Sequence, residues 1–166
     1  MSSQQLVTLQ AVKYLPVTPG QVALTRQMAN EKKIGRVVFQ RALDDGTIAK
    51  FLDSLAIIAV IESGRTELWL HDDQKAGQRV RGRTILAQLL KENLLAGCAD
   101  VPNLQAIQAK GPAFYQKHFA GKVLVAWRGI QGDDVPYLVE RGDEVILRWD
   151  HLDDDFDADC PAPSRK

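Results

Sequence analysis

Tyr137–Trp149, YLVERGDEVILRW, reads as two runs of strand-forming residues, Tyr137–Glu140 and Glu144–Trp149, folded back around Arg141-Gly142-Asp143. β-Branched and aromatic side chains suit a pleated strand, and a glycine between two such runs is a hairpin signal. A hairpin is antiparallel by construction, so this segment sets the character of the sheet. Lys122–Trp127 (KVLVAW), just upstream, reads as a further strand.

Moving outward, helical and extended segments alternate. Thr84–Leu95 is the clearest helix, with Ile85, Leu86, Leu89, Leu90 and Leu94 on one side and Ala96-Gly97 at its end. Gly111-Pro112 opens a short helix through Phe119, stopped by Gly121. Thr47–Ala56 places Ile48, Phe51, Leu52 and Leu55 at helical spacing. Ile57–Glu62 is a β-branched run read as a strand, turned by Ser63-Gly64 onto Thr66–Leu70. Leu6–Leu15 is read as a strand that Pro16 ends, and Val22–Lys32 as a helix entered through Thr18-Pro19. Ile34–Leu43 suits either a strand or a helix. Val101–Ala109 is read as a short strand, and His71–Gly82 as a polar flexible connection. The expectation is one α+β domain over residues 1–152, a mostly antiparallel sheet packed with three to four helices, and a flexible acidic tail over 153–166.

Composition narrows the function. The chain has 166 residues, 45% of them apolar and 25% charged, which fits a folded globular domain. No run approaches a membrane span, and Met1-Ser2-Ser3-Gln4-Gln5 does not open a secretory signal. Two cysteines, Cys98 and Cys160, make no disulfide framework, so a cytoplasmic setting is expected. The 21 basic and 21 acidic side chains are unevenly placed. Residues 150–166 hold six Asp against Arg165 and Lys166, a net −4 that leaves residues 1–149 at +4. Two basic segments carry that excess: Arg26, Lys32, Lys33, Arg36 and Arg41, and then Lys75, Arg79, Arg81, Arg83 and Lys91. Such runs can form an anion-binding surface.

Thr25–Asp44 (TRQMANEKKIGRVVFQRALD) resembles the helix-turn-helix of small bacterial repressors. Ala29 stands where a small residue lets the two helices cross, Ile34 follows the turn, and Phe39 and Ala42 would lock the second helix onto the first. Lys33 occupies the turn position where glycine is usual. The resemblance implies that Arg36, Val37, Gln40 and Arg41 are exposed, with Arg36, Gln40 and Arg41 reading DNA and Lys33 on phosphate. Arg and Gln can pair bidentately with guanine and adenine edges.

Arg79–Leu90 (RVRGRTILAQLL) is similar to the acyl-CoA-binding loop of GNAT-type acetyltransferases, with Arg79, Gly82 and Thr84 at the positions that hold the pyrophosphate. That resemblance implies acetyl-CoA as cofactor and Tyr115 as the acid that protonates the leaving thiolate. His71, His118 and His151 show no metal-ligand spacing, so no metal is expected. Asp153, Asp155 and Asp157 lack the glycine and glutamate of a calcium loop, since Ala158 and Ser164 stand there.

The reading is a small, non-catalytic nucleic-acid-binding regulator that uses residues 21–41, with DNA as partner. An acyl-CoA-dependent acyltransferase built on residues 79–84 is the alternative. A protein-binding module, with the acidic tail or an exposed strand edge as the contact, is the second, its partner another protein or a homodimer. No membrane partner is expected. The regulator ranks first because it needs one motif only and both basic segments would contribute to phosphate binding. In this reading the acidic tail folds over the basic surface and competes with nucleic acid.

Overall fold

The computed structural model describes residues 36–164 together with Pro19, Val22, Ala23, Arg26 and Gln27, leaving aside the side chains of 36, 37, 50, 51 and 53–55. The expected strand over residues 6–15 lies outside the described residues. Within them the order is α1 (Arg36–Asp44), α2 (Thr47–Glu62), β1 (Glu67–Trp69), α3 (Asp72–Lys75), β2 (Val80–Arg81), α4 (Gly82–Lys91), α5 (Val101–Ala109), α6 (Gly111–Phe119), β3 (Leu124–Val125), β4 (Asp134–Arg141), β5 (Glu144–His151), β6 (Asp155–Phe156) and β7 (Ala162–Ser164). Short 3₁₀ turns at Leu95–Gly97 and Trp127–Gly129 join them. The α+β class holds and every strand pair is antiparallel, but there are three small sheets instead of one: β3-β4-β5, β1-β7 and β2-β6. The described residues also hold more helices than the three to four expected.

The β4–β5 hairpin forms as its residues dictate. Arg141 pairs with Glu144 across the two-residue turn Gly142-Asp143. Gly142, at φ 64°, takes the first turn position, where a side chain would be strained. One face of this sheet packs on α5 and α6 through Leu138, Leu124, Leu104, Ile107, Tyr115 and Phe119. A second cluster gathers Ile85, Leu86 and Leu89 of α4 with Val125, Trp127, Val135 and Leu152. A third, much smaller, holds Phe39 and Ile48.

Three elements correct the sequence reading. Ile57–Glu62 is helical and continues α2, because its branched residues also fit helical spacing: Ile57 and Ile61, one turn apart, are both buried. Ser63-Gly64 then ends the helix instead of turning a hairpin. Gly64, at φ 72°, donates to Ile61 O at 3.0 Å and Arg65 donates to Val60 O at 3.1 Å, a Schellman stop. Thr66–Leu70 accordingly pairs not with 57–62 but, as β1, with β7.

Val101–Ala109 is the helix α5, not a strand. Asp100 caps it by accepting from Asn103 N–H at 3.1 Å while Asn103 Oδ1 accepts from Asp100 N–H at 3.0 Å, and Pro102 sits in the first turn. His71–Gly82 is not a loose connection. His71 Nδ1 accepts from Asp73 N–H at 3.0 Å to cap α3, and the buried Gln74 donates to Asp157 O at 2.8 Å.

The largest correction concerns the acidic segment. Residues 153–164 are not a flexible tail but part of the fold. β6 pairs with β2 and β7 with β1. Leu152 and Phe156 are buried at 0% and 2% exposure, and Phe156 stands edge-on against Trp127 with ring centroids 5.5 Å apart. Val123 and Val125 donate to Asp159 O and Pro161 O, and Ala99 donates to Pro163 O. The aspartates stay outside while the few apolar residues turn in. A low mean hydropathy hides that division, because two or three well-placed apolar side chains suffice to dock a segment already tied by backbone hydrogen bonds.

Candidate nucleic-acid interface

The ambiguous stretch Ile34–Leu43 resolves as helix over Arg36–Asp44. Its apolar side is the small cluster: Phe39 is buried, and Ala42 and Leu43 pack beside it against Ile48, Leu52 and Val22. Val22, Ala23, Arg26 and Gln27 are themselves helical, and Val22 packs against the cluster around Phe39. The exposed Arg26 places its guanidinium 5.4 Å from the Phe39 ring centroid, a cation–π contact.

The outward side of α1 presents Val38 at 62% exposure, Gln40, Arg41 and Asp44. Gln40 and Arg41 are thus both exposed, at adjacent positions of the helix. Gln40 Nε2 donates to Asp44 Oδ1 at 2.8 Å, a pairing one turn along the helix that a base edge would have to displace. Asp45, beyond the helix end, has its carboxyl held below the ordinary carboxylate range by the Thr47 hydroxyl and backbone N–H that donate to it. Arg41, in the last turn of α1, stands close to the Asp45 carboxylate. Lys33 lies outside the described residues, as does the side chain of Arg36. Val37, expected to be exposed, is also undescribed beyond its backbone, and its neighbour Val38 is exposed.

In the second basic segment, the turn at Gly82–Arg83 is occupied by the chain itself. Arg83 reaches Asp153 at 2.6 Å and Asp133 at 3.4 Å. The hydrogen bond to Asp153 raises the guanidinium's affinity for its proton and lowers that of the carboxyl. Gly82 N–H donates to Asp154 O and Arg83 N–H to Leu152 O, each at 3.0 Å. These are donors that would have to grip a pyrophosphate. A Cβ on Gly82 would stand 2.8 Å from Leu152 O, so glycine is required for packing against the returning chain. Arg79 and Thr84 are exposed around this filled turn.

Tyr115 is buried at 1% exposure, and its hydroxyl meets the main-chain carbonyls of Lys122 and, at 3.0 Å, Leu138. Burial raises its pKa far above the usual phenol value, with hydrogen bonding only partly opposing it. It is a core hydroxyl satisfied by backbone, with no opening toward a substrate.

Sequence reasoning missed a buried ion pair. Arg128 Nη2 lies 3.1 Å from Asp100 Oδ2, both side chains 7% exposed, and 3.3 Å from Asn103 Oδ1. Arg128 Nη1 also donates to Ala96 O. The cluster ties the start of α5 to the Trp127–Gly129 turn. The one sequence signal was Asp100-x-x-Asn103 as a capping box before an apolar run. Cys98 sits beside it, and burial pushes its thiol up to about 12, more strongly than the Arg128 charge pulls it down. Cys160 is likewise pushed up to about 12 by burial and the Asp157 carboxylate, so neither thiol is an activated nucleophile.

Among the described residues, no group of three or more His, Cys, Asp or Glu side chains is arranged to hold a metal, and no helix is long and apolar enough to cross a membrane. The chain matches no protein-family model, no curated protein and no solved structure.

Proposed function

We propose that this protein is a small, non-catalytic regulator that binds DNA through α1, with Gln40 and Arg41, and with Arg36 and Lys33 from the same basic segment, as its contact residues. The observation that carries the reading is the two-sided character of α1. Phe39 and Ala42 anchor the helix in the cluster with Val22 and Ile48, and Gln40 and Arg41 are exposed on the surface side, Gln40 hydrogen-bonded to Asp44. A strand over the same residues would have divided them between two faces. Arg26 adds a cation beside the anchor. A cytoplasmic setting belongs to the same proposal and is supported by two free thiols. The acyltransferase alternative draws no support from the filled turn at Gly82 or from the buried Tyr115.

The test is fluorescence anisotropy on labelled duplex DNA across a salt series. Wild type should bind with an affinity that falls steeply as salt rises. Gln40→Ala or Arg36→Ala should cost about 1–3 kcal/mol on a preferred sequence and relax discrimination at one base pair. Lys33→Ala should weaken all sequences alike and make the log–log salt slope shallower by about one unit. Arg41→Ala leaving low-salt retention unchanged, or no retention of DNA by wild type, would sink the proposal.

A further inference from the structure

β5 is the edge of its sheet, and its unpaired side is engaged at the Val145 carbonyl and at His151 but open in the middle. Alternate residues of the hairpin bond to β4. Starting from the Arg141–Glu144 pair that closes the turn, these are Glu144, Ile146, Arg148 and Asp150, and Leu152 N–H continues the series by donating to Asp133 O. Val145, Leu147, Trp149 and His151 therefore point their N–H and C=O groups outward. At one end Gln108 Nε2 donates to Val145 O at 3.0 Å. At the other, His151 N–H donates to Asp154 Oδ2 and His151 O accepts from Asp154 N–H. Between these stops, no hydrogen bond from the described residues reaches the outward groups of Leu147 or Trp149. Trp149, at 40% exposure, is one of two large apolar side chains that stand exposed among them. An open strand edge beside an exposed tryptophan is a template for another strand, and proteins ordinarily blunt such edges.

We propose that a second copy of this chain occupies this edge, β5 against β5, in an antiparallel pair whose two-fold axis passes between the two Arg148 residues. In that register Leu147 of each copy stands opposite the partner's Trp149. The four outward N–H and C=O groups of the two residues in one copy then meet the four in the other, and the open window is filled with none left over. Leu147 and Trp149 lie on the same face of the strand, so each indole packs on the partner's leucine, a favourable cross-strand pair. On the opposite face Arg148 lies diagonally across from the partner's Asp150, within reach of a long side chain. Neither Arg148 nor Asp150 has an ion-pair partner among the described residues. The neighbouring Asp154 adds a second negative charge beside Asp150, to which an incoming guanidinium is attracted. The same register sets the two Arg148 directly across the axis, a like-charge contact that the two diagonal Asp150 carboxylates offset, so the four groups sum to no charge. The interface is self-complementary because the edge carries both signs on one face and both halves of the apolar pair on the other. The dimer stands independently of DNA binding.

Sedimentation equilibrium of the full chain over a concentration series reads the association directly. Wild type should show a monomer–dimer equilibrium. Arg148→Asp would place four negative charges around the axis and should weaken the dimer by at least about tenfold, and Asp150→Arg should do the same with positive charge. The double variant Arg148→Asp/Asp150→Arg should recover association, because the pairing is restored with its signs exchanged. Trp149→Pro removes one outward N–H and the indole while leaving the β4 ladder intact, and should abolish the dimer with the fold retained by circular dichroism. Wild type that stays monomeric at every concentration would overturn the proposal. So would single charge reversals without effect, or a double variant no better than the singles while all variants remain folded.

Discussion

The basic segment around α1 and the acidic segment after β5 carry excess charge of opposite sign, and their attachment to the protein differs sharply. The acidic segment sends Leu152, Phe156, Pro161, Ala162 and Pro163 inward and pairs with β1 and β2. α1 is held by Phe39, with Ala42 and Leu43 half-buried, in a cluster that shares no member with the two larger ones. Charge reports what a segment shows to water. Whether it folds depends on where its few apolar residues fall and on which backbone groups need partners.

Substitutions can break this comparison. Phe156→Ala should give the largest effect, a loss of about 3–5 kcal/mol in chemical denaturation, because the ring is fully buried against Trp127. A loss near zero would restore the picture of a dispensable tail. Phe39→Ala should cost less, about 1–3 kcal/mol, since its neighbours other than Ile48 are only half-buried. The two larger clusters should survive it, with hydrogen exchange in β4 unchanged. If Phe39→Ala instead unfolds the whole chain, α1 is not an appended unit.

Two titrations sharpen the contrast. The Tyr115 phenol is raised by burial, so its contribution to stability is complete below the unfolded phenol value of about 10 and is lost as pH climbs toward the folded value. Spectrophotometric titration should therefore show one tyrosine that ionises only as the protein unfolds, and Tyr115→Phe should remove that component. Asp153 has the opposite sign: its carboxyl is depressed by the Arg83 hydrogen bond, so its contribution is present above about pH 4 and lost as pH falls through the lower folded value. Arg83→Ala should be the smallest perturbation, barely moving the melting temperature at neutral pH, because solvent screens the pair. A large shift would mean that ion pairs, not Phe156 and its apolar neighbours, hold the acidic segment.

Much of the fold was legible where one local signal acted alone. The β4–β5 hairpin, α4 and α6 follow from turn glycines, strand composition and helical spacing. The failures came where two signals compete. Ile57–Ile61 satisfies strand composition and helical spacing at once, and its Gly64 stop serves either reading. For α5, the Asp100–Asn103 capping box is the signal that sets the helix, and composition alone leaves the segment open to a strand. The acidic segment was misjudged because the partners of its backbone, β1 and β2, lie far away in sequence. Of the candidate site, the outward placement of Gln40 and Arg41 was legible from the repressor resemblance. The filling of the Gly82 turn by Leu152 was not, because no local pattern announces a contact across seventy residues of chain.

The pairing of β1 with β7 also bears on how the chain reaches its native state. Glu67 meets Ser164 across 97 positions, so during synthesis β1 emerges long before the strand that completes it. Helices such as α4 can form from local contacts at once, whereas this closure bears the entropy of a long loop and belongs late in folding. Until then the backbone groups of β1 that β7 covers have no strand partner, the condition in which strand edges are exposed to association.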